Sequence, residues 1–312
     1  MTVKVVTDST SDLPLQLAQE LDITVVPAYV GFGDKTYRDG IDISQDEVYQ
    51  KMVAENVSAT TSQPPPADFA NVYKKLLKET DEIVSIQVTS KLSGVYNSAL
   101  QGKEMVSGGS RIEVVDSLST SMGLGLITMA AARLAKAGEG LPRVMEEVKQ
   151  SIPSIRIWAF FDTLKYVLRG GRLGKAKALL GSVLTVKPFL TIRDGELHPI
   201  GFARSRAKGI ERLFNNLKDS LPNIQDVAIV HSTTPDDAQK LKERISTIFD
   251  KSPIHISRLG PALGVHAGPG ALVLALRERM GGVGQEAGEG QPAKKRLSLP
   301  SLHLPKLSCS RL

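Results

Sequence analysis

The first half of the chain alternates short apolar runs with stretches of helical periodicity. The apolar runs are rich in β-branched residues, as buried strands are, and lie at 3–7 (VKVVT), 23–29 (ITVVPAY), 81–88 (DEIVSIQV) and 111–117 (RIEVVDS). Helical spacing of apolar residues occurs at 13–21, 46–55, 66–79, 96–105, 122–137 and 141–152. This order predicts a mostly parallel sheet with helices on both faces. The Gly- and Asp-rich segment GDKTYRDG at 33–40 predicts a hairpin or loop.

A second α/β pattern follows Pro153. It begins with the strand-like IRIWAFF at 155–161, and residues 163–184 predict two helices separated by a basic, glycine-rich hinge. Asp194-Gly195 separates two apolar runs and predicts a hairpin. Further elements are predicted as a helix from about Lys208, a strand at 227–232, a helix from about Asp236, and strands near 254–259 and 271–276. The mixture of hairpin and strand–helix connections predicts a mixed sheet.

These patterns divide the chain into an α/β domain at 1–152, a second α/β domain at 153–280 and a tail at 281–312. The tail is rich in Gly, Pro and Ser without a period, and we expect it to be disordered. It carries five basic and two acidic residues, half of the chain's net charge of +6. The body is therefore only mildly basic, and aromatic residues make up 5% of the chain. We expect no nucleic-acid partner.

Targeting and redox features are few. The N-terminus leads directly into a strand-like run, and no apolar stretch is long enough to span a bilayer. The single cysteine, Cys309, excludes an internal disulfide. We expect a cytoplasmic globular protein.

Four hydroxyl-rich segments lie at strand-to-helix turns. They are TDSTSDLP at 7–14, TTSQPPPADF at 60–69, TSKLSGVYNSA at 89–99 and DSLSTSMGLG at 116–125. Three of them follow strand-like runs directly, so their hydroxyls should gather at one sheet edge, where α/β proteins bind ligands. The Ser93-Gly94 turn, with its unpaired backbone N–H groups, suits a carboxylate or phosphate. Taken alone, Ser93 is better explained as a helix cap, which is the commoner role.

Known catalytic motifs are missing from the sequence. It contains no phosphate loop, no dinucleotide fingerprint after the first strand, no G-x-S-x-G elbow and no metal-binding spacing of its five histidines. Asp8 and Asp12 would suit a magnesium ion. We favour Asp8 as a turn residue and Asp12 as a helix cap next to Pro14.

A histidine and a basic connector remain. His266 is predicted to lie in the glycine-rich loop of LGPALGVHAGPGALVL, where it is either a structural residue or a hydrogen-bond donor to an anion at Ser93. The connector LRGGRLGKAK carries Arg169, Arg172, Lys175 and Lys177. Such a run is either a solvated face or a docking site for an acidic partner or anionic lipid.

Six segments in order resemble the DegV family: VTDSTSDLP, TSQPPPADF, TSKLSGVYNSA, DSLSTSMGLG, LRGGRLG and GPALGVHAGPGAL. The resemblance runs from about Val3 to Leu276 and leaves the extension from Gly281 without a counterpart. It implies a two-domain DegV-like α/β fold, with an N-terminal parallel sheet, a second domain with a mixed sheet, and one fatty acid between the domains.

The same resemblance implies roles for individual residues. Thr61, Ser93, Gly94 and His266 would hold the fatty-acid carboxylate, and Arg169 and Arg172 would dock a fatty-acid kinase catalytic subunit. That separate, ATP-dependent subunit makes acyl phosphate for phospholipid synthesis, so the chain itself would be a carrier without a catalytic set, a metal or a cofactor. Transient contact with a membrane surface is compatible with this role. The alternative is a metal-dependent phosphatase or phosphotransferase that uses Asp8.

Overall fold

The computed structural model describes residues 2–55, 57–106, 111–174 and 187–279. Its strands are β1 (Lys4–Asp8), β2 (Ile23–Val26), β3 (Tyr29–Phe32), β4 (Lys35–Arg38), β5 (Ala59–Ser62), β6 (Glu82–Gln87), β7 (Arg111–Asp116), β8 (Ile155–Phe160), β9 (Lys187–Arg193), β10 (Glu196–Ala203), β11 (Ile224–His231), β12 (Ile254–Arg258) and β13 (Leu272–Glu278). Its α-helices are α1 (Leu15–Glu20), α2 (Gln45–Tyr49), α3 (Pro66–Leu76), α4 (Val95–Glu104), α5 (Ser121–Lys136), α6 (Leu141–Ser154), α7 (Lys165–Arg169), α8 (Arg206–Ser220), α9 (Pro235–Ser246) and α10 (Pro261–Ala267). A π-helical turn at Gln50–Ala54 continues α2.

The N-terminal sheet has the strand order β2-β1-β6-β7, and all its strands are parallel. This confirms the parallel sheet predicted from the strand–helix alternation. The carboxyl ends of all four strands therefore lie at the same edge of the sheet. At that edge the chain turns into the loops that carry Ser93 and Thr120.

The apolar run at 23–29 forms two strands in different sheets. β2 belongs to the parallel sheet, whereas β3 pairs with β4 and β5 in an antiparallel three-stranded sheet. The β3–β4 pair confirms the predicted hairpin at 33–40. The polar strand β5 (ATTS) was not predicted, because hydroxyl residues without apolar alternation give no strand signal.

The second half forms a six-stranded mixed sheet in the order β10-β9-β8-β13-β11-β12. β9 and β10 form the predicted hairpin, and both turn residues, Asp194 and Gly195, have positive φ (51° and 79°) as a type I′ turn requires. The α/β fold with one parallel and one mixed sheet is as predicted. Pro153 lies in the last turn of α6 and β8 begins at Ile155, and the domain division after residue 152 remains a prediction.

Helix α5 is buried on nearly every side and packs against both sheets. Leu124 and Ile127 belong to the core of the parallel sheet, whereas Met122, Leu126 and Met129 pack against the mixed sheet. A helix that is apolar all round is stable in such a position because both faces are covered. Its amino-terminal end therefore lies between the two sheets.

Two predictions fall outside the described residues: the second helix of the segment 163–184 and the disordered tail at 281–312. Within the described ranges, none of the helices is long and apolar enough to cross a membrane.

Candidate functional site

A cavity lies between the carboxyl edge of the parallel sheet and one face of the mixed sheet. It contains about 1060 Å³ of empty space, including its opening to solvent. Its apolar wall comes largely from the mixed sheet and α10: Ile157, Ala159, Leu190, Ile192, Leu197, Leu263 and Val273. Its polar lining residues, here called the polar wall, include Thr10, Thr61, Gln63, Ser93, Thr120, Ser121, Arg172 and His266. A mostly apolar cavity with several polar lining groups suits an amphipathic molecule.

The cavity face of the mixed sheet follows from strand alternation. In β8, Ile157 and Ala159 face the cavity, whereas Trp158 and Phe160 pack into the core on the opposite side of the sheet. Both faces of this strand are thus apolar, and the face that carries Ile157 and Ala159 forms part of the cavity lining.

Thr61 and His266 meet in the polar wall. Thr61 Oγ1 lies 2.7 Å from His266 Nε2, although 205 positions separate them in the chain. Thr61 is held by β5, and His266 lies in the last turn of α10, not in a glycine-rich loop as predicted. The glycines that gave the loop signal lie within and at the ends of this short helix, where Gly264 lets the Tyr49 ring approach closely.

The His266 imidazole is neutral at physiological pH. Burial, assisted by the nearby charge of Arg172, lowers its pKa from 6.5 to about 4. Nδ1 is buried and has no hydrogen-bond partner among the described residues. A neutral imidazole here carries one N–H donor and one acceptor nitrogen.

Ser93 and Gly94 form the turn into α4, as the sequence predicts. Gly94, not Ser93, occupies the N-cap position, and the Ser93 hydroxyl accepts only a long hydrogen bond of 3.4 Å from Val95 N–H. The Gln63 side chain lies on the other side of Gly94, 3.0 Å from where a Cβ would be. Helix capping therefore does not explain Ser93 fully, and its hydroxyl remains available in the cavity wall.

The two candidate docking arginines differ in position. Arg169 is exposed at the end of α7. Arg172 is half-buried in the cavity wall, where its guanidinium donates to the carbonyls of Leu92 (3.3 Å) and Gly170 (2.6 Å). Sequence patterns did not predict that Arg172 lines the cavity, because its position depends on a glycine-rich turn. Lys175 and Lys177 lie outside the described residues.

The Asp8 carboxylate is occupied by its own turn. It accepts hydrogen bonds from the backbone N–H groups of Thr10 (2.9 Å) and Val88 (2.8 Å), and from the Thr10 hydroxyl. This confirms Asp8 as a turn residue. Asp12 does not cap a helix as predicted, because α1 begins after Pro14 and Asp12 bonds instead to Gly260 and Ser121. No group of acidic or histidine side chains that would hold a metal occurs in the described part of the chain.

Comparison with known proteins gives the same assignment as the sequence motifs. A family model described as an uncharacterised protein of the DegV family matches residues 2–279. A DegV domain-containing protein of Caldanaerobacter subterraneus is 35% identical over 279 residues, which are 89% of this chain and 99% of that protein. The chain belongs to the DegV family.

Solved structures of this family have the same fold. A Thermus thermophilus DegV family protein, described by its fatty acid binding, is 33% identical and has a TM-score of 0.83, with 89% of this chain and 100% of that chain covered. Bacillus subtilis DegV, described as a fatty acid binding protein, is 30% identical with a TM-score of 0.82 and the same coverage. The structural neighbours of this chain are thus fatty-acid-binding DegV proteins.

Proposed function

We propose that this DegV protein binds one long-chain fatty acid in the cavity, with its carboxylate at Thr61, Ser93, Gly94 and His266. The observation that carries the proposal is the pairing of an apolar wall with hydroxyls and a neutral imidazole at one side of the same cavity. The fatty-acid-binding proteins of the same fold support it.

The energetics favour such a ligand. Burial of an acyl chain contributes about 0.8 kcal/mol per methylene, or about 10 kcal/mol for a long chain. An unpaired carboxylate would cost several kcal/mol of this. Hydroxyl groups and backbone N–H groups at the start of α4 offset that cost, because they hydrogen-bond the anion.

The neutral imidazole has a defined role in this arrangement. When Nε2–H donates to Thr61 Oγ1, the Thr61 hydroxyl proton is free to donate to the carboxylate. Its one N–H is then in use, so His266 contributes to the carboxylate site by orienting the Thr61 hydroxyl, and no full positive charge has to be buried for this purpose.

The chain would act as a carrier without its own catalytic set or cofactor. It would present the carboxylate to a separate ATP-dependent kinase subunit, which forms acyl phosphate for phospholipid synthesis in the cytoplasm. The exposed Arg169 beside Arg172 supports docking of that subunit at this face. Leu168, which is 45% exposed next to Arg169, supports brief contact with a membrane surface during loading.

Titration of the purified, delipidated protein with oleate tests the carboxylate site. Thr61→Val preserves side-chain volume and removes the hydroxyl, and Ser93→Ala does the same at the turn. Each variant should weaken oleate affinity about tenfold, because a buried carboxylate loses a donor. Thr61→Ser, which keeps the hydroxyl, serves as the control and should bind nearly as the parent does. Unchanged affinity in both Thr61→Val and Ser93→Ala would refute the assignment.

A further inference from the structure

Two buried carboxylates meet at the amino-terminal end of α10. Asp12 Oδ1 accepts a hydrogen bond from Gly260 N–H at 2.8 Å, and Asp39 Oδ2 accepts one from Ala262 N–H at 3.3 Å. Both side chains are 5% exposed. A Cβ on Gly260 would lie 3.4 Å from one oxygen of each carboxylate, so both acids face the same residue.

The partners of these carboxylates are neutral. Ser121 Oγ donates to Asp12 at 2.5 Å, and Ser9 Oγ donates to Asp39 at 2.7 Å. Among the described residues, no lysine or arginine forms an ion pair with either acid, and burial raises the pKa of both carboxyls. Buried carboxylates without a cation are costly, so their presence calls for a role.

Further hydrogen bonds hold the loops that carry the two acids near the start of α10. The Ser257 hydroxyl, just before α10, donates to the Asp12 backbone carbonyl. Ser9 also accepts from Ala28 N–H at 3.0 Å, which joins the segment after β1 to the segment after β2. The TDSTSD segment at 7–12 is therefore hydrogen-bonded to the start of α10 through Asp12, and its Thr10 also lines the cavity.

Helix α10 connects the two carboxylates to His266 over a short distance. It is seven residues long and internally bonded, with Gly264 N–H donating to the Gly260 carbonyl at 2.7 Å. His266 lies in its last turn, so the imidazole and the anchored end belong to one short rigid element. A shift of the first turn would move Nε2 relative to Thr61, which is held independently by β5.

We propose that Asp12 and Asp39 are positioning residues for His266: by fixing the first turn of α10 they hold its imidazole against Thr61. This inference rests on the proposed fatty-acid site, because it assigns that site two supporting residues that do not touch the ligand.

The test combines binding with a direct view of the imidazole. Oleate affinity is measured for Asp39→Ala and His266→Ala, singly and together, in the full chain. The tautomer and hydrogen bonding of His266 are followed by long-range ¹H–¹⁵N NMR of the delipidated protein. Asp39→Ala should weaken binding about tenfold alone, and less than about twofold in the His266→Ala background, because its effect passes through the imidazole.

The NMR signals separate positioning from general stability. The parent should show one hydrogen-bonded tautomer, and Asp39→Ala should show a mixture or a shift. Asp39→Asn keeps an acceptor oxygen for Ala262 N–H, so it should restore most of the parent signal. Asp226→Asn is the control, since this buried carboxylate pairs with Arg133 and Arg277 away from α10; it should leave the imidazole signals unchanged.

The outcomes are distinct. Equal losses of affinity from Asp39→Ala in both backgrounds, with unchanged imidazole signals, would overturn the positioning role. If Thr61→Val and Ser93→Ala bind oleate normally, the fatty-acid site is wrong, but the NMR comparison still decides whether the carboxylates position His266. Should Asp39→Ala fail to fold, Asp39→Leu, which removes both acceptor oxygens but fills the space, replaces it in the same cycle, and unaltered imidazole signals in that variant would contradict the proposal.

Discussion

Gly170 lies directly against the imidazole of His266. A Cβ at position 170 would be 2.0 Å from Nδ1 and 2.7 Å from Cε1. The end of α7 and the end of α10 therefore meet at this ring, and only a glycine allows the contact. The ring is fixed by Gly170 on one edge and by Thr61 on the other.

Gly170→Ala should displace His266 and weaken oleate binding at least about tenfold, because the Thr61–His266 hydrogen bond cannot form in its present geometry. Isothermal titration with oleate measures the effect. Gly140→Ala is the matched control, since a Cβ there would be 3.7 Å from its nearest neighbour. Parent-like affinity in Gly170→Ala would show that the imidazole position does not matter for binding.

The apolar wall should determine how much of the acyl chain is buried. Ala159 is 6% exposed and faces the cavity, so Ala159→Phe would fill part of the space that an acyl chain needs. We expect affinity for oleate to fall about tenfold or more while affinity for octanoate changes less, because the shorter chain needs less room. Competition binding with both acids measures the difference. A uniform loss for both would place the acyl chain elsewhere.

The His266 pKa makes a prediction about pH. Because burial lowers this pKa to about 4, the ring should remain neutral down to about pH 5, and NMR titration of the ring should show it. Below pH 6.5 the unfolded chain gains a proton on this residue that the folded ring does not. The free energy of unfolding should therefore decrease as the pH falls from about 6.5 to about 4. Arg172→Gln should raise the pKa, since a neighbouring positive charge is removed. A ring that titrates near 6.5 in the parent would contradict its buried, neutral state.

Charge reversal should have different effects on oleate binding at Arg169 and at Arg172. Arg169→Glu should weaken acyl-phosphate formation with a fatty-acid kinase catalytic subunit while oleate affinity stays as in the parent, because this side chain is exposed. Arg172→Glu should reduce both, since its guanidinium lines the cavity. Coupled kinase assays and oleate titration measure the two effects. Loss of oleate affinity in Arg169→Glu would mean that the connector shapes the cavity instead of docking a partner.

Much of the fold was predictable because its strands are apolar and its helices are periodic. The parallel sheet follows from local patterns that agree with the tertiary fold, and the Asp194-Gly195 hairpin follows from turn chemistry. β5 was missed because ATTS has no apolar alternation, and the run at 23–29 was not divided because its apolar character continues across the break.

The residues of the proposed carboxylate site could be named from the sequence, but the contacts that join them could not. The local pattern around Ser93 and Gly94 predicts a strand-to-helix turn. The Thr61–His266 contact has no such local signal, because it joins two short elements that are distant in sequence. The link from Asp39 to Ala262 and the place of Arg172 in the wall depend on loop geometry, for which one sequence carries no periodic signal.

Native mass spectrometry of the purified protein, followed by denaturing extraction and lipid analysis, tests the central claim most directly. We predict one fatty acid per chain, released on denaturation. When oleate is added to the delipidated protein, the native mass should increase by the mass of one oleate. A protein that carries no fatty acid and takes up none on addition would contradict the account.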